Sequence, residues 1–186
     1  MTEARQAPPG KRPAKSKSTS GRSRAKSKAP RPTLGWKEWV SFPGLGIEGI
    51  RSKVDTGART SALHATDLEE EVDDDGIAVV RFKVLCERRP RRKPVTVSLP
   101  VIDKRFVRDS SGREELRPVV LAEIEVCGQR WKIEITLTRR DDMEFNMLLG
   151  RRGIRRRFLV DPGRVYLGGD PPPSEGRERG SPEDGS

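Results

Sequence analysis

Histidine occurs once in this chain, at position 64, and cysteine only at positions 86 and 127. A zinc peptidase ordinarily needs two or three histidines, often as His-Glu-x-x-His, and neither that motif nor a Cys-x-x-Cys pair is present. The phosphate-cradling Gly-x-x-x-x-Gly-Lys-Ser/Thr loop is also absent, and Gly44-Leu45-Gly46 is too short to replace it. The expectation is therefore a protein with no metal and no cofactor. Aromatic residues make up 5% of the 186 positions and hydrophobic ones 32%, too few to pack the whole length, so part of the chain is expected to stay unfolded. No apolar run approaches the ~20 residues of a membrane span. The basic N-terminus lacks the apolar stretch of a secretory signal. These absences predict a cytoplasmic chain with no membrane partner. Cys86 and Cys127 fit a single disulfide or a reducing compartment equally well.

Charge is plentiful, at 35% of residues, but unevenly placed. Residues 1–33 hold ten Lys/Arg and one acid, Glu3, whereas residues 170–186 hold two Arg and five acids. The overall charge of +10 thus divides into +9 and −3 on the two ends and a modest +4 between them. Segments of this composition bury too little surface to offset their chain entropy. The sequence predicts a disordered basic tail over 1–33, a folded domain over 34–169 and a disordered acidic tail over 170–186. The basic tail has the charge of an arm for nucleic acid or another polyanion. The same composition also suits a spacer with no fixed partner.

The folded part reads as many short strands. Trp36 to Phe42 and Ile47 to Val54 flank the breaker Pro43-Gly44-Leu45-Gly46. Ser61 to Leu68 follows, then an Asp73-Asp74-Asp75-Gly76 turn and an alternating strand from Ile77 to Leu85. Glu87 to Lys93 is a basic loop, and Val95 to Ile102 resumes extended structure. Asp109-Ser110-Ser111-Gly112 is a turn, and Leu121–Val126 and Arg130–Thr138 form a hairpin about Cys127-Gly128-Gln129. Arg151 to Arg157 is predicted as a short basic helix, with Phe158-Leu159-Val160 and Val165-Tyr166-Leu167 as closing strands. This pattern predicts a small, closed, all-β domain.

The chemistry centres on Val54-Asp55-Thr56-Gly57-Ala58. An Asp at a strand end can share a proton with a second carboxylate, because two such groups about 3 Å apart do not both ionise easily. Gly57 allows close backbone approach, and the Thr56 hydroxyl can bond across an interface. Taken alone, Asp-Thr-Gly also describes an ordinary Asx turn. Downstream, Asn146-Met147-Leu148-Leu149-Gly150-Arg151 is an apolar strand ended by glycine and followed by the basic segment.

Together these pieces resemble retropepsin-like aspartic proteases, which carry Asp-Thr/Ser-Gly-Ala, a flap hairpin, an apolar-apolar-Gly strand beside the active-site turn and then a short helix. Trp36-Lys37-Glu38-Trp39, the run Lys53 to Ala65, Pro100-Val101-Ile102-Asp103, Arg117-Pro118-Val119, Ile133 to Thr138 and Phe158-Leu159-Val160-Asp161-Pro162 narrow the resemblance to the bacterial family often labelled "ATP-dependent zinc protease". The label's zinc and ATP find no motif here. The resemblance implies a retropepsin-like barrel that cuts peptide or protein substrates with a water activated by Asp55. Thr56 and Gly57 complete the catalytic turn, and Leu148, Leu149, Gly150 and Arg151 support it. Asp109, Ser110, Ser111 and Gly112 form the flap, with Ala58 and Arg59 beside the substrate. Since one chain has one Asp-Thr-Gly, activity implies a homodimer. Viral members usually have an acid where Arg59 stands, so Arg151 is expected to pair instead with Asp141, Asp142 or Glu144. The alternative function is a non-catalytic binding module of the same fold, working with the basic tail.

Overall fold

A computed structural model describes residues 30–87, 94–108, 112, 114–139 and 144–169. Both expected tails lie almost entirely outside the described residues. Eleven strands, one short α-helix and a 3-10 turn at Pro43–Leu45 make up the described part. In chain order the strands are β1 (Thr33–Gly35), β2 (Lys37–Phe42), β3 (Ile47–Asp55), β4 (Ser61–His64), β5 (Thr66–Val72) and β6 (Ala78–Leu85). They continue with β7 (Pro94–Arg108), β8 (Glu114–Val126), β9 (Gln129–Thr138), β10 (Met147–Gly150) and β11 (Leu159–Asp161), with helix α1 (Arg151–Ile154) between the last two. The all-β expectation holds.

Nine strands form one sheet in the order β2-β3-β10-β4-β9-β8-β7-β6-β5, and β1 pairs with β11 in a separate parallel ribbon. The expected closed barrel is realised only in part. β2 touches β8 through the single pair Ser41 and Glu125, beyond which β7, β6 and β5 run outward as an open extension. The β2–β3 register slips between Val40 and Phe42, and this irregularity turns the end of β2 toward β8.

Alternation explains which faces are inside. On β2, Glu38, Val40 and Phe42 are buried while Lys37, Trp39 and Ser41 are only partly covered. On β6, Val80, Phe82 and Val84 point inward, as the period-2 pattern predicts. Phe42, Ile50, Leu63, Ile135, Met147 and Leu149 form the centre of the core. The β8–β9 hairpin turns on Cys127-Gly128, both with positive φ (51° and 71°). A two-residue turn of this hand matches the strand twist, and glycine accommodates it without steric cost.

Three expectations need correction, and one open point is decided. Ser61 to Leu68 is two strands broken at Ala65, because β4 pairs with β9 and β10 whereas β5 leaves them to pair with β6 and runs on to Val72. Val165-Tyr166-Leu167 is not a strand. Tyr166 adopts a φ of 51°, its ring stacks on Trp39, and the Leu167 N–H donates to the Glu38 carboxylate rather than to a ladder. The helix is four residues, not seven. Clustered arginines disfavour its extension, and Arg156 is left-handed (φ 68°). The open point is the cysteines, which do not pair: Cys86 is buried and Cys127 half-buried, both as free thiols. Among the described residues no helix is long and apolar enough to cross a membrane.

Candidate active site

β10 is inserted between β3 and β4, parallel to the first and antiparallel to the second. Its register sets Gly150 beside Asp55, Leu149 beside Val54 and Leu148 beside Lys53. The glycine is dictated by space. A Cβ at position 150 would lie 2.3 Å from the Thr60 carbonyl oxygen and 2.9 Å from the Ser61 nitrogen. The Gly150 N–H donates to Ser61 Oγ (3.1 Å), and the N–H groups of Arg151 and Arg152 donate to the carbonyls of Ala58 and Arg59 (2.9 and 3.1 Å). The start of α1 therefore clamps the loop that follows Asp55.

Within that loop, Asp55 Oδ1 accepts the N–H groups of Gly57 (2.9 Å) and Ala58 (3.1 Å). This is the Asx turn foreseen for a strand-end aspartate, and here it fixes the orientation of the proposed catalytic carboxylate. A side chain at Gly57 would press on Oδ1, at 3.2 Å from its Cβ. Oδ2 has no partner among the described residues. Thr56 is exposed, and its carbonyl accepts Arg151 Nη1 at 3.0 Å. Among the described residues that carbonyl is the side-chain partner of Arg151, in place of the expected carboxylate. Glu144 pairs instead with Lys37 (3.4 Å), and Asp141 and Asp142 lie outside the described residues.

Asp55, Gly57, Ala58 and Arg59 line a cleft of about 970 Å³ together with Arg105, Phe106, Val107 and Arg108 from the end of β7. The hairpin expected to act as the flap thus borders the cleft. Its tip residues Asp109, Ser110 and Ser111 lie outside the described residues, and Gly112 is exposed with φ 85°. Phe106 (73% exposed) stands opposite Leu116 on β8, an apolar pair open to solvent. His64 lies on β4 and does not line the cleft. Asp103, at the end of the Pro100-Val101-Ile102-Asp103 motif, accepts Arg105 Nε at 2.6 Å and is also outside the lining.

Sequence reasoning missed the charge of this cleft. Its lining includes six basic residues, Lys53, Arg59, Arg105, Arg108, Arg117 and Arg152, against two acids, Asp55 and Glu144. Part of that charge is braced. Glu134 accepts Arg105 Nη1 at 2.6 Å and Arg152 Nη1 at 3.4 Å. The hydrogen bond from Arg105 holds the Glu134 carboxyl below its ordinary range, and Glu134 in turn raises Arg105. One signal was available: alternation along β8 puts Arg117 on the same buried face as Val119. Among the described residues no three His, Cys, Asp or Glu side chains gather as a metal site would require.

Comparison with known proteins places this geometry. Residues 33–171 match the RimB-like family model, described as retropepsin-like aspartic endopeptidase RimB. The chain belongs to this family. Probable alpha-L-glutamate ligases are similar to this RimB-like domain. The one from Desulfotalea psychrophila is 43% identical over 129 residues, covering 69% of this chain and 28% of the relative. The one from Shewanella pealeana is 36% identical over 137 residues, covering 74% and 30%. The chain thus spans less than a third of the length of these curated relatives. The crystal structure of Lpg0085, a protein of unknown function (DUF785) from Legionella pneumophila, superposes with a TM-score of 0.61 at 25% identity. It covers 74% of this chain and 98% of its own.

Proposed function

We propose that this RimB-like domain is an aspartic endopeptidase for acidic peptides, with Asp55 from each of two copies forming the catalytic pair. The observation that carries the reading is Asp55 itself, held by two backbone N–H groups at the edge of a large cationic cleft, with one carboxylate oxygen left unpartnered among the described residues. In such a pair one carboxylate is ionised and takes a proton from the attacking water. The other stays protonated and polarises the scissile carbonyl. The other acid of the cleft, Glu144, is engaged by Lys37, which supports a second copy as the source of the second carboxylate. Thr56, exposed beside the cleft, is available to bond across that dimer axis. The β7–β8 hairpin, with Asp109, Ser110, Ser111 and Gly112 at its tip, serves as the flap over the substrate.

The six basic residues favour an acidic substrate, since a cleft lined by one sign of charge concentrates the opposite sign. Relatives named as probable alpha-L-glutamate ligases carry a similar domain, which supports a glutamate-rich peptide in particular. Residues 1–33 act as an electrostatic arm for a polyanion such as nucleic acid. The same comparison favours a second reading: a non-catalytic module that presents an acidic peptide to a ligase. Digestion of Glu-rich peptides across pH, read by mass spectrometry, separates the two. Wild type is expected to cut, and Asp55→Asn to fall to background with its fold intact. Equal cutting by both proteins removes Asp55 from the mechanism, and no cutting by either favours the binding module.

A further inference from the structure

Arg117 is a buried cation that uses little of its hydrogen-bonding capacity among the described residues. Its side chain is 5% exposed, yet it lines the same cleft as Asp55. Its Nε donates to Glu115 Oε2 at 2.7 Å. Thr138 Oγ1 donates to that same oxygen at 3.1 Å, so the carboxylate that steers the guanidinium is itself held from β9. A guanidinium has five N–H donors. Among the described residues the four on the two Nη atoms have no partner. Burying a charge with unsatisfied donors is costly unless something completes the set.

The neighbourhood sharpens the point. Arg105 lies directly across the β7–β8 ladder from Arg117, an arrangement of like charges that destabilises a sheet. Arg105 is neutralised by Asp103 and Glu134, each at 2.6 Å. Among the described residues Glu115, 44% exposed, is the counterion of Arg117 and meets it at Nε alone. The paired Nη edge of a guanidinium matches the two oxygens of a carboxylate.

We propose that Arg117 is the specificity-determining residue of the cleft, taking one substrate carboxylate in a bidentate grip through its Nη groups, with Glu115 and Thr138 as the frame that aims it. The proposal rests on the acidic-peptide reading above and adds a residue to it. The carboxylate is a glutamate side chain of the peptide or its C-terminal α-carboxylate, both having the same chemistry.

Binding to the Asp55→Asn protein tests this without relying on hydrolysis. The probe is a fluorescently labelled octaglutamate, with its eight single Glu→Gln variants and a C-terminally amidated form. One of these changes is expected to weaken binding about 10- to 100-fold, the range for a hydrogen-bonded charge. Adding Arg117→Gln should abolish the penalty of that one change and leave the others untouched. The sensitive position says whether a side chain or the C-terminus is held. Penalties that stay the same in the Arg117→Gln background overturn the assignment. If thermal melting shows that Arg117→Gln does not fold, Arg117→Lys replaces it, keeping the charge and losing the fork. It should then lose most of its affinity for octaglutamate and little for the peptide already changed at the sensitive position, and equal losses for both overturn the proposal. Coupling in a protein that cuts nothing refutes the protease reading alone. Cutting of acidic peptides without coupling refutes the role of Arg117 alone.

Discussion

Replacing Gly150 with alanine tests the link between β10 and the Asp55 loop. The added Cβ would meet main-chain atoms, the Thr60 carbonyl oxygen and carbon at 2.3 and 2.4 Å and the Ser61 nitrogen at 2.9 Å. No side chain can swing aside to relieve this, so either β10 or the 58–61 segment must move. Movement stretches the Gly150 N–H bond to Ser61 Oγ and the bonds from Arg151 and Arg152 to the loop carbonyls. Overpacking of a well-filled site costs about 1–3 kcal/mol. With backbone on both sides the upper end applies, about 3 kcal/mol. For a urea slope of about 2 kcal/mol/M, the unfolding midpoint should fall by about 1.5 M. The assay is urea denaturation followed by circular dichroism, with Gly44→Ala as control. Position 44 has open space around a built Cβ and no positive φ, so its midpoint should barely change. If Gly150→Ala is as stable as the control, the close approach inferred at β10 is wrong and the loop is not clamped there. The peptide cleavage proposed above should fall along with stability, because the displaced segment is continuous with Asp55.

Two further outcomes follow from buried polar groups. Glu38 is 1% exposed, and its carboxylate accepts the N–H groups of Gly35 (2.6 Å), Leu167 (3.0 Å) and Gly168 (3.2 Å). Glu38→Ala should therefore cost at least about 3 kcal/mol by the same denaturation measurement, and a loss below about 1 kcal/mol would show that these contacts are not formed. Burial pushes the Cys127 thiol up from 9.0 to about 11, with the nearby Glu38 charge adding to it. Its folded value lies above the unfolded one, so its contribution to stability is complete below pH 9 and is lost as pH rises toward 11. Alkylation of native protein by iodoacetamide should be slow at pH 8 and rise steeply above pH 10, and rapid labelling at pH 8 refutes the burial of this thiol.

Much of the fold could be read from local pattern. Period-2 alternation located β6 and the β8–β9 hairpin, and Asp55 with Gly150 marked where two distant strands end together. What was hidden depends on partners that sequence distance conceals. Val165-Tyr166-Leu167 has strand composition, but Glu38 captures the N–H groups of Leu167 and Gly168 from across the chain, the Tyr166 N–H goes to the Lys37 carbonyl, and no ladder forms. Arg151 has acids nearby in sequence, yet it reaches a main-chain carbonyl. The cationic cleft emerges only when β7, β8, α1 and the Asp55 loop converge, because its arginines are scattered along the chain. Arg117 itself was legible in one respect. The alternation that buries Val119 also buries Arg117, and a buried arginine implies a partner.

The position of β10 has a consequence for how the molecule is made. Synthesis proceeds from the N-terminus, so β3 and β4 leave the ribosome long before the residues that fit between them. Until 147–150 arrive, two inner strands present unpaired edges of the kind that recruit other chains. Asp55 is then a carboxylate on an unfinished sheet, with neither Gly150 beside it nor α1 holding its loop. The site's first residues are made early, but it closes only with one of the last strands. A nascent or truncated chain ending before Met147 therefore has an incomplete Asp55 site and is exposed to mispairing, and the order of synthesis itself leaves the site unassembled until the domain is nearly complete.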